Sequence, residues 1–220
     1  KDRPVYVAGS VSNYGLFTGS ERSVEGYHHF LDRVPWTEEG SRANLREQAE
    51  ILAEAGVDFI LAEPTGGSTH RRWVIEACVS TGLPVWMGFK VHQSEAGGIP
   101  KVGYQSEEPF AQQFAQLAAL GGKVVTLFHS PIAATNAALP IARGAWKGPL
   151  AIYPEAERHD YVAVHKDPNE KTVIGPEDFV KQAKQWVSQG VQVIGGCCGI
   201  ELEYIRPLRE ALPSHLPAAA

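Results

Sequence analysis

Three cysteines and a single methionine are all the sulfur in this 220-residue chain. An odd number of cysteines, none of them near the start, fits no disulfide framework, so a reducing, cytoplasmic setting is expected. Basic charge is not in excess: Lys and Arg total 20 against 25 Asp and Glu, for a formal net charge of −5. That balance offers neither nucleic acid nor an anionic membrane anything to hold, and neither is expected as a partner. Apolar residues make up 44% of the chain, yet no run of them is long enough to span a bilayer and no signal-peptide pattern opens the sequence. Internal repeats, low-complexity tracts and an interdomain linker are also absent. What remains is enough to bury one sizeable core, and residues 1–220 read as a single domain. The first residue, Lys1, is not an initiator methionine, and the apolar run Val5 to Ala8 follows at once. A fragment, or a chain missing its leading residues, is the expectation.

What is present is a repeated alternation. Strand-like runs at Val5–Ala8, Phe59–Ala62, Val85–Phe89, Val124–Phe128, Leu150–Tyr153 and Val191–Ile194 are each followed by a helical pattern. Leu45, Ala49 and Leu52 make one apolar stripe, stopped by Gly56. Phe110, Phe114 and Leu117 make a second before Gly121, and Phe179, Ala183 and Trp186 a third, with Pro176 at its start and Gly190 at its end. Strand-helix alternation repeated six times implies parallel strands joined by right-handed crossovers. The stretch from Ser10 to Thr37, rich in Gly, Ser and aromatics, reads as an elaborated active-site loop.

The sixth run carries the most specific chemistry. Val191 to Ile194 has the composition of a strand buried on both faces, and Gly195-Gly196-Cys197-Cys198-Gly199 follows at its end. The residues admit three readings: two small buried hydrophobes, a vicinal redox disulfide, or a pair of ligands to one soft metal ion. Glycine on both sides lets the backbone fold around an ion, which favours the last. This segment, preceded by Trp186 to Gly190 and followed by a helical pattern, closely resembles the C-terminal signature of the homocysteine S-methyltransferase family. That family includes betaine- and S-methylmethionine-dependent enzymes and the homocysteine half of cobalamin-dependent methionine synthase.

The resemblance implies a (β/α)8 TIM barrel with zinc as cofactor. The six units here match the third to eighth of that barrel, so the N-terminal two βα units are expected to lie outside this chain. It also implies roles for residues just past the strand runs, where such a barrel places its active site. Glu63, after the second run, stands where the family binds the amino group of homocysteine; a structural salt bridge is the competing reading. His129, after the fourth run, takes the place of the family's first zinc-binding cysteine, and Phe128 that of the preceding asparagine. With Cys197 and Cys198 it makes a His-Cys-Cys zinc site with one open position. Tyr153-Pro154-Glu155 resembles the family's Tyr-Pro-Asn, and the carboxylate of Glu155 suits a cationic substrate amine or methyl donor, with Tyr153 as an aromatic face. After the first run, Asn13 and Tyr14 are candidate ligand contacts or parts of a plain turn.

The function expected from the resemblance is methyl transfer from a small donor to the sulfur of homocysteine or a related thiol. Two alternatives compete. A metal-dependent barrel hydrolase or lyase would use oxygen and nitrogen ligands from Glu63, His92 and His129 to activate water. A degenerate family member would keep the barrel and only bind a metabolite; the replaced cysteine and the missing Asp-Gly-Gly segment of the family support it. The six strands should be neighbours in chain order, with a gap between the first and the last. An open barrel edge is unfavourable, so further N-terminal residues or a second copy in a homo-oligomer should cover it.

Overall fold

The computed structural model describes residues 5–13, 37–65, 68–93, 98–103, 108–156 and 174–212. Six parallel strands form one sheet: β1 (Ala8–Val11), β2 (Phe59–Ala62), β3 (Val85–Phe89), β6 (Val124–Phe128), β7 (Leu150–Tyr153) and β8 (Val193–Ile194). They are neighbours in chain order, and β1 and β8 stand at the two ends of the sheet. One row of paired residues runs from Val11 to Ala62, Met87, Val125 and Leu150. It starts at the last residue of β1 and finishes at the first residue of β7. Progressive stagger of this kind is the shear that tilts strands in a barrel wall.

The crossovers carry the helices α1 (Glu38–Glu54), α2 (Ser68–Ser80), α3 (Phe110–Ala118), α4 (Ile132–Ala145) and α5 (Pro176–Ser188), and α6 (Leu202–Ala211) follows β8. Their apolar stripes face the sheet. Leu45 and Ala49 of α1, Phe110, Phe114 and Leu117 of α3, and Phe179, Ala183 and Trp186 of α5 are all buried in one core. Thr37 caps α1 by accepting a hydrogen bond from the Gly40 amide at 3.0 Å. No helix among the described residues is long and apolar enough to cross a membrane.

Three features depart from the sequence reading. The first strand is Ala8–Val11, not Val5–Ala8: Val5, Tyr6 and Val7 are 85%, 67% and 57% exposed. Pairing with β2 begins at Ala8 opposite Phe59, after Asp58 has bound the Val7 amide with Oδ2 at 2.7 Å. The last strand shrinks to two half-buried residues, because β8 has a strand on one side only among the described residues. A small antiparallel pair, β4 (Val91–His92) with β5 (Lys101–Val102), sits in the crossover from β3 to α3.

Trp186 fixes α5 to the rest. It is fully buried, lies edge-on to Phe179 at 6.0 Å between ring centroids, and donates from Nε1 to Asn136 Oδ1 of α4 at 2.6 Å. Trp186→Ala removes that fully buried volume and its hydrogen bond to Asn136, so it should lower the unfolding free energy by about 3–5 kcal/mol. Denaturant unfolding of the full-length protein measures this; a loss below about 1 kcal/mol would show that α4 and α5 do not share a rigid core.

Candidate metal centre

The C-terminal ends of β6, β7 and β8 are laced together by backbone hydrogen bonds. The His129 amide donates to Tyr153 O at 3.1 Å, Glu155 to Ser130 O at 3.2 Å, Cys197 to Pro154 O at 2.9 Å, and Ala156 to Cys198 O at 2.8 Å. The β7 exit is thus the rail on which the other two exits hang. The cysteines themselves sit in a turn closed by the Ile200 amide donating to Cys197 O at 3.0 Å. Gly196 is required there: a Cβ on it would lie 2.0 Å from Ile200 Cγ2. Gly199 takes φ +76°, the left-handed region that glycine enters freely.

His129 is the non-glycine residue with positive φ, at +44°, among those described. Such a conformation costs a non-glycine residue on the order of 1–2 kcal/mol and persists only where the surroundings impose it. Here it turns the imidazole towards the β8 exit. His129 Nδ1 lies 3.4 Å from Cys197 Sγ and 3.3 Å from Cys198 Sγ, and the two sulfurs are 3.7 Å apart. Both cysteines are free, and that separation is well beyond a disulfide bond.

Whether zinc fits can be judged from these three edges. Bonds of about 2.3 Å to sulfur and about 2.05 Å to nitrogen at the tetrahedral angle require edges of about 3.8 Å for S···S and about 3.6 Å for S···N. The observed 3.7, 3.4 and 3.3 Å fall within a few tenths of an ångström of that triangle. The donor set of one imidazole and two thiols is also the chemistry that a soft or borderline cation selects. The cluster is the group of His, Cys, Asp and Glu able to hold a metal ion among the described residues.

Charge shapes the same place. Burial first, and then the neighbouring Cys198 thiolate, push the Cys197 thiol up to about 12. Without a cation it is a thiol at neutral pH, and a cation that binds it must displace the proton. Cys78, the third cysteine, lies buried in α2, where burial alone pushes it up to about 12 and keeps it an inert core side chain.

The other residues singled out by the sequence fall in three places. Glu63, at the end of β2, accepts from Ser10 Oγ at 2.5 Å and from Tyr153 Oη at 3.0 Å, so its partners are a serine and a phenol and not an arginine. Tyr153 also receives a hydrogen bond from Thr126 Oγ1 at 3.1 Å. Burial and the Glu63 charge raise its phenol well above the usual range, so it stays protonated and able to donate. The charge of Glu63 also reaches Cys197, which places carboxylate and thiol in one field. Glu155 is buried, 2% exposed, with Oε2 3.7 Å from His129 Nδ1, the nitrogen that also faces the two thiols. Asn13 is buried, and its Oδ1 accepts from the Thr65 amide at 2.7 Å, tying the β1 exit to the β2 exit. Tyr14 lies outside the described residues. His92 is in β4 with Nδ1 2.7 Å from Gly103 O, so the oxygen-nitrogen set of Glu63, His92 and His129 is not the one brought together.

Sequence reasoning missed Ser10, Thr126, Lys90 and Ser130. Lys90 and Ser130 are buried at the exits of β3 and β6, and Lys90 carried a usable signal: a charge directly after the apolar run Val85–Phe89, the same signal that marked Glu63.

The comparisons with known proteins bear on the whole chain. It is 28% identical to a selenocysteine Se-methyltransferase from Brassica oleracea var. italica over 97% of its length, covering 59% of that protein. It is 27% identical to the homocysteine S-methyltransferase of Escherichia coli K12 over 87% of its length, covering 58% of that protein. The chain therefore spans less than two thirds of these curated relatives. The solved structure of the homocysteine methyltransferase MmuM from Escherichia coli in its apo form superposes with a TM-score of 0.62 at 21% identity, over 94% of this chain and 64% of that one. At that identity it shows the fold, a parallel sheet with helical crossovers of the TIM-barrel type. The profile of the family described as homocysteine S-methyltransferase matches residues 1–212. That span takes in every strand and helix described above, and the chain belongs to the homocysteine S-methyltransferase family.

Proposed function

We propose that the protein is a zinc-dependent methyltransferase that moves a methyl group from a small donor to the sulfur of homocysteine or a related thiol. One of the relatives is named for selenocysteine, so a selenol is an acceptor of the same class. The observation that carries the reading is the triangle of two thiols and one imidazole nitrogen, at tetrahedral spacing, in the field of a held carboxylate. His129, Cys197 and Cys198 would hold the ion and leave a fourth position for the acceptor. Bound there, zinc supplies a Lewis acid that keeps a thiol deprotonated near neutral pH.

The remaining work falls to the chain's own groups. Glu63 binds the ammonium of the amino-acid acceptor: two of its lone pairs are taken by Ser10 and Tyr153, and the others remain for a cation. Tyr153, kept protonated, holds that carboxylate in place between the β2 and β7 exits. Its ring, with the field of Glu155 beside His129 Nδ1, suits a sulfonium or ammonium methyl donor. Asn13 keeps the neighbouring loop exits together.

Two coupled measurements test the reading. Cys197, with its thiol at about 12, is protonated across the neutral range and must release a proton to become a ligand. Rising pH removes that cost, so zinc affinity should rise by about tenfold or more per pH unit from about pH 6 to pH 9. Calorimetry should then show homocysteine binding to the zinc form at least about tenfold more tightly than to the metal-free form, the minimum expected if its sulfur takes the open position. An affinity for zinc that does not move with pH would remove Cys197 as a thiolate ligand. Equal homocysteine binding with and without zinc would reject thiol activation at this centre.

A further inference from the structure

Lys90 follows directly on β3 and is 3% exposed. An ammonium is buried at a cost unless charge or hydrogen bonding compensates it. Its Nζ donates to the backbone carbonyl of His129 at 2.9 Å, that is, to the peptide of the residue held at φ +44°. One residue further on, the Val91 amide donates to Ser130 Oγ at 2.9 Å, and that hydroxyl donates to Phe128 O at 2.6 Å. The β3 exit therefore grips the backbone on both sides of His129, while Tyr153 O holds the His129 amide from the β7 side. Burial holds the Lys90 ammonium below its ordinary range, against the opposing pull of Glu155 and the two cysteines.

We propose that Lys90 is a positioning residue for the metal centre: its ammonium pins the left-handed His129 peptide so that Nδ1 faces Cys197 and Cys198. This rests on the reading of His129, Cys197 and Cys198 as metal ligands. A lysine serving only to fill space would be replaced without consequence by methionine, which has a similar length and no charge. A lysine that places a ligand cannot be, because outer-shell partners of metal ligands typically change affinity by about 10–100-fold.

The test is zinc affinity by chelator competition in the full-length protein, for the parent, Lys90→Met, His129→Ala and the double variant. Lys90→Met should weaken zinc binding about 10–100-fold, and the double variant should be within about twofold of His129→Ala alone, since the lysine acts through the histidine. Cobalt(II) spectra should show the same loss of the nitrogen ligand in Lys90→Met and in His129→Ala. Parental affinity in Lys90→Met, or losses that simply add in the double variant, would overturn the proposal. Should Lys90→Met fail to fold, Lys90→Gln decides: its amide is shorter and uncharged, so several-fold weaker zinc is expected and parental affinity overturns the proposal. A parent protein that binds no zinc would overturn the metal reading and this inference together. A zinc-binding parent with an indifferent Lys90→Met overturns this inference alone.

Discussion

Cys197→Ser and Cys198→Ser are each expected to abolish zinc retention and, with it, the proposed methyl transfer. Each thiolate supplies a soft, charged donor, and serine at the same position offers a hard hydroxyl that stays protonated. A structural zinc site binds with about 10–16 kcal/mol shared among four ligands, so one ligand accounts for about 3–4 kcal/mol, or about 10²–10³-fold in affinity. Folding should be little affected, because Cys197 is half-buried and Cys198 exposed in a turn held by backbone hydrogen bonds that serine leaves intact. The alternative, two cysteines acting as small hydrophobes, predicts the reverse: a modest loss of stability and no effect on metal. Metal content after dialysis and thermal unfolding of the same samples separate the two. Full zinc occupancy in either serine variant would reject the site as drawn.

Much of this was legible because strand order does the work of bringing distant residues together. His129 and Cys197 are far apart in sequence, but each follows a strand end, and in a parallel sheet all those ends lie on one rim. Knowing that β6 and β8 flank β7 is enough to place the imidazole near the thiols. What a pattern of apolar residues does not carry is register and polar contact inside the wall. Val5-Tyr6-Val7 has the composition of a strand, yet the pairing begins only at Ala8, where Gly9 sits tightly over Leu52 of α1. Small residues made the true strand, so composition pointed a few positions too early. Thr126 and Ser130 are polar residues in or beside a fully buried strand, and nothing in the period distinguishes a hydroxyl that bonds Tyr153 or Val91 from one that does not. The β4–β5 pair escapes for a simpler reason: two-residue strands are too short to show alternation. The approach of the Glu155 carboxylate to His129 Nδ1 depends on the β6–β7 register, which the sequence alone does not show.

Replacing His129 should show most directly what the imidazole contributes to the proposed centre. His129→Ala removes one of three donors and should cost zinc affinity about as much as either serine variant, about 3–4 kcal/mol. His129→Cys would give the proposed centre three sulfur ligands, and two consequences follow from charge. A neutral imidazole with two thiolates balances the divalent ion to zero, whereas three thiolates leave −1. The extra thiolate would also stand beside Glu155, whose Oε2 is 3.7 Å from the present imidazole nitrogen. Like charge at that distance disfavours the thiolate, so the new cysteine is protonated when no metal is present. Zinc binding to His129→Cys should therefore release up to one more proton than binding to the parent, and its affinity should climb more steeply with pH. Calorimetry in buffers of different ionisation enthalpy counts those protons. Activity then discriminates between chemistries. A more negative ligand set leaves more electron density on an acceptor sulfur, so thiol methylation should be preserved or raised in the cysteine variant. Water activation would be weakened, because added negative charge raises the pKa of bound water. An alanine variant that keeps parental zinc affinity would take His129 out of the site. Unchanged proton release in the cysteine variant would place the new sulfur outside the ligand set.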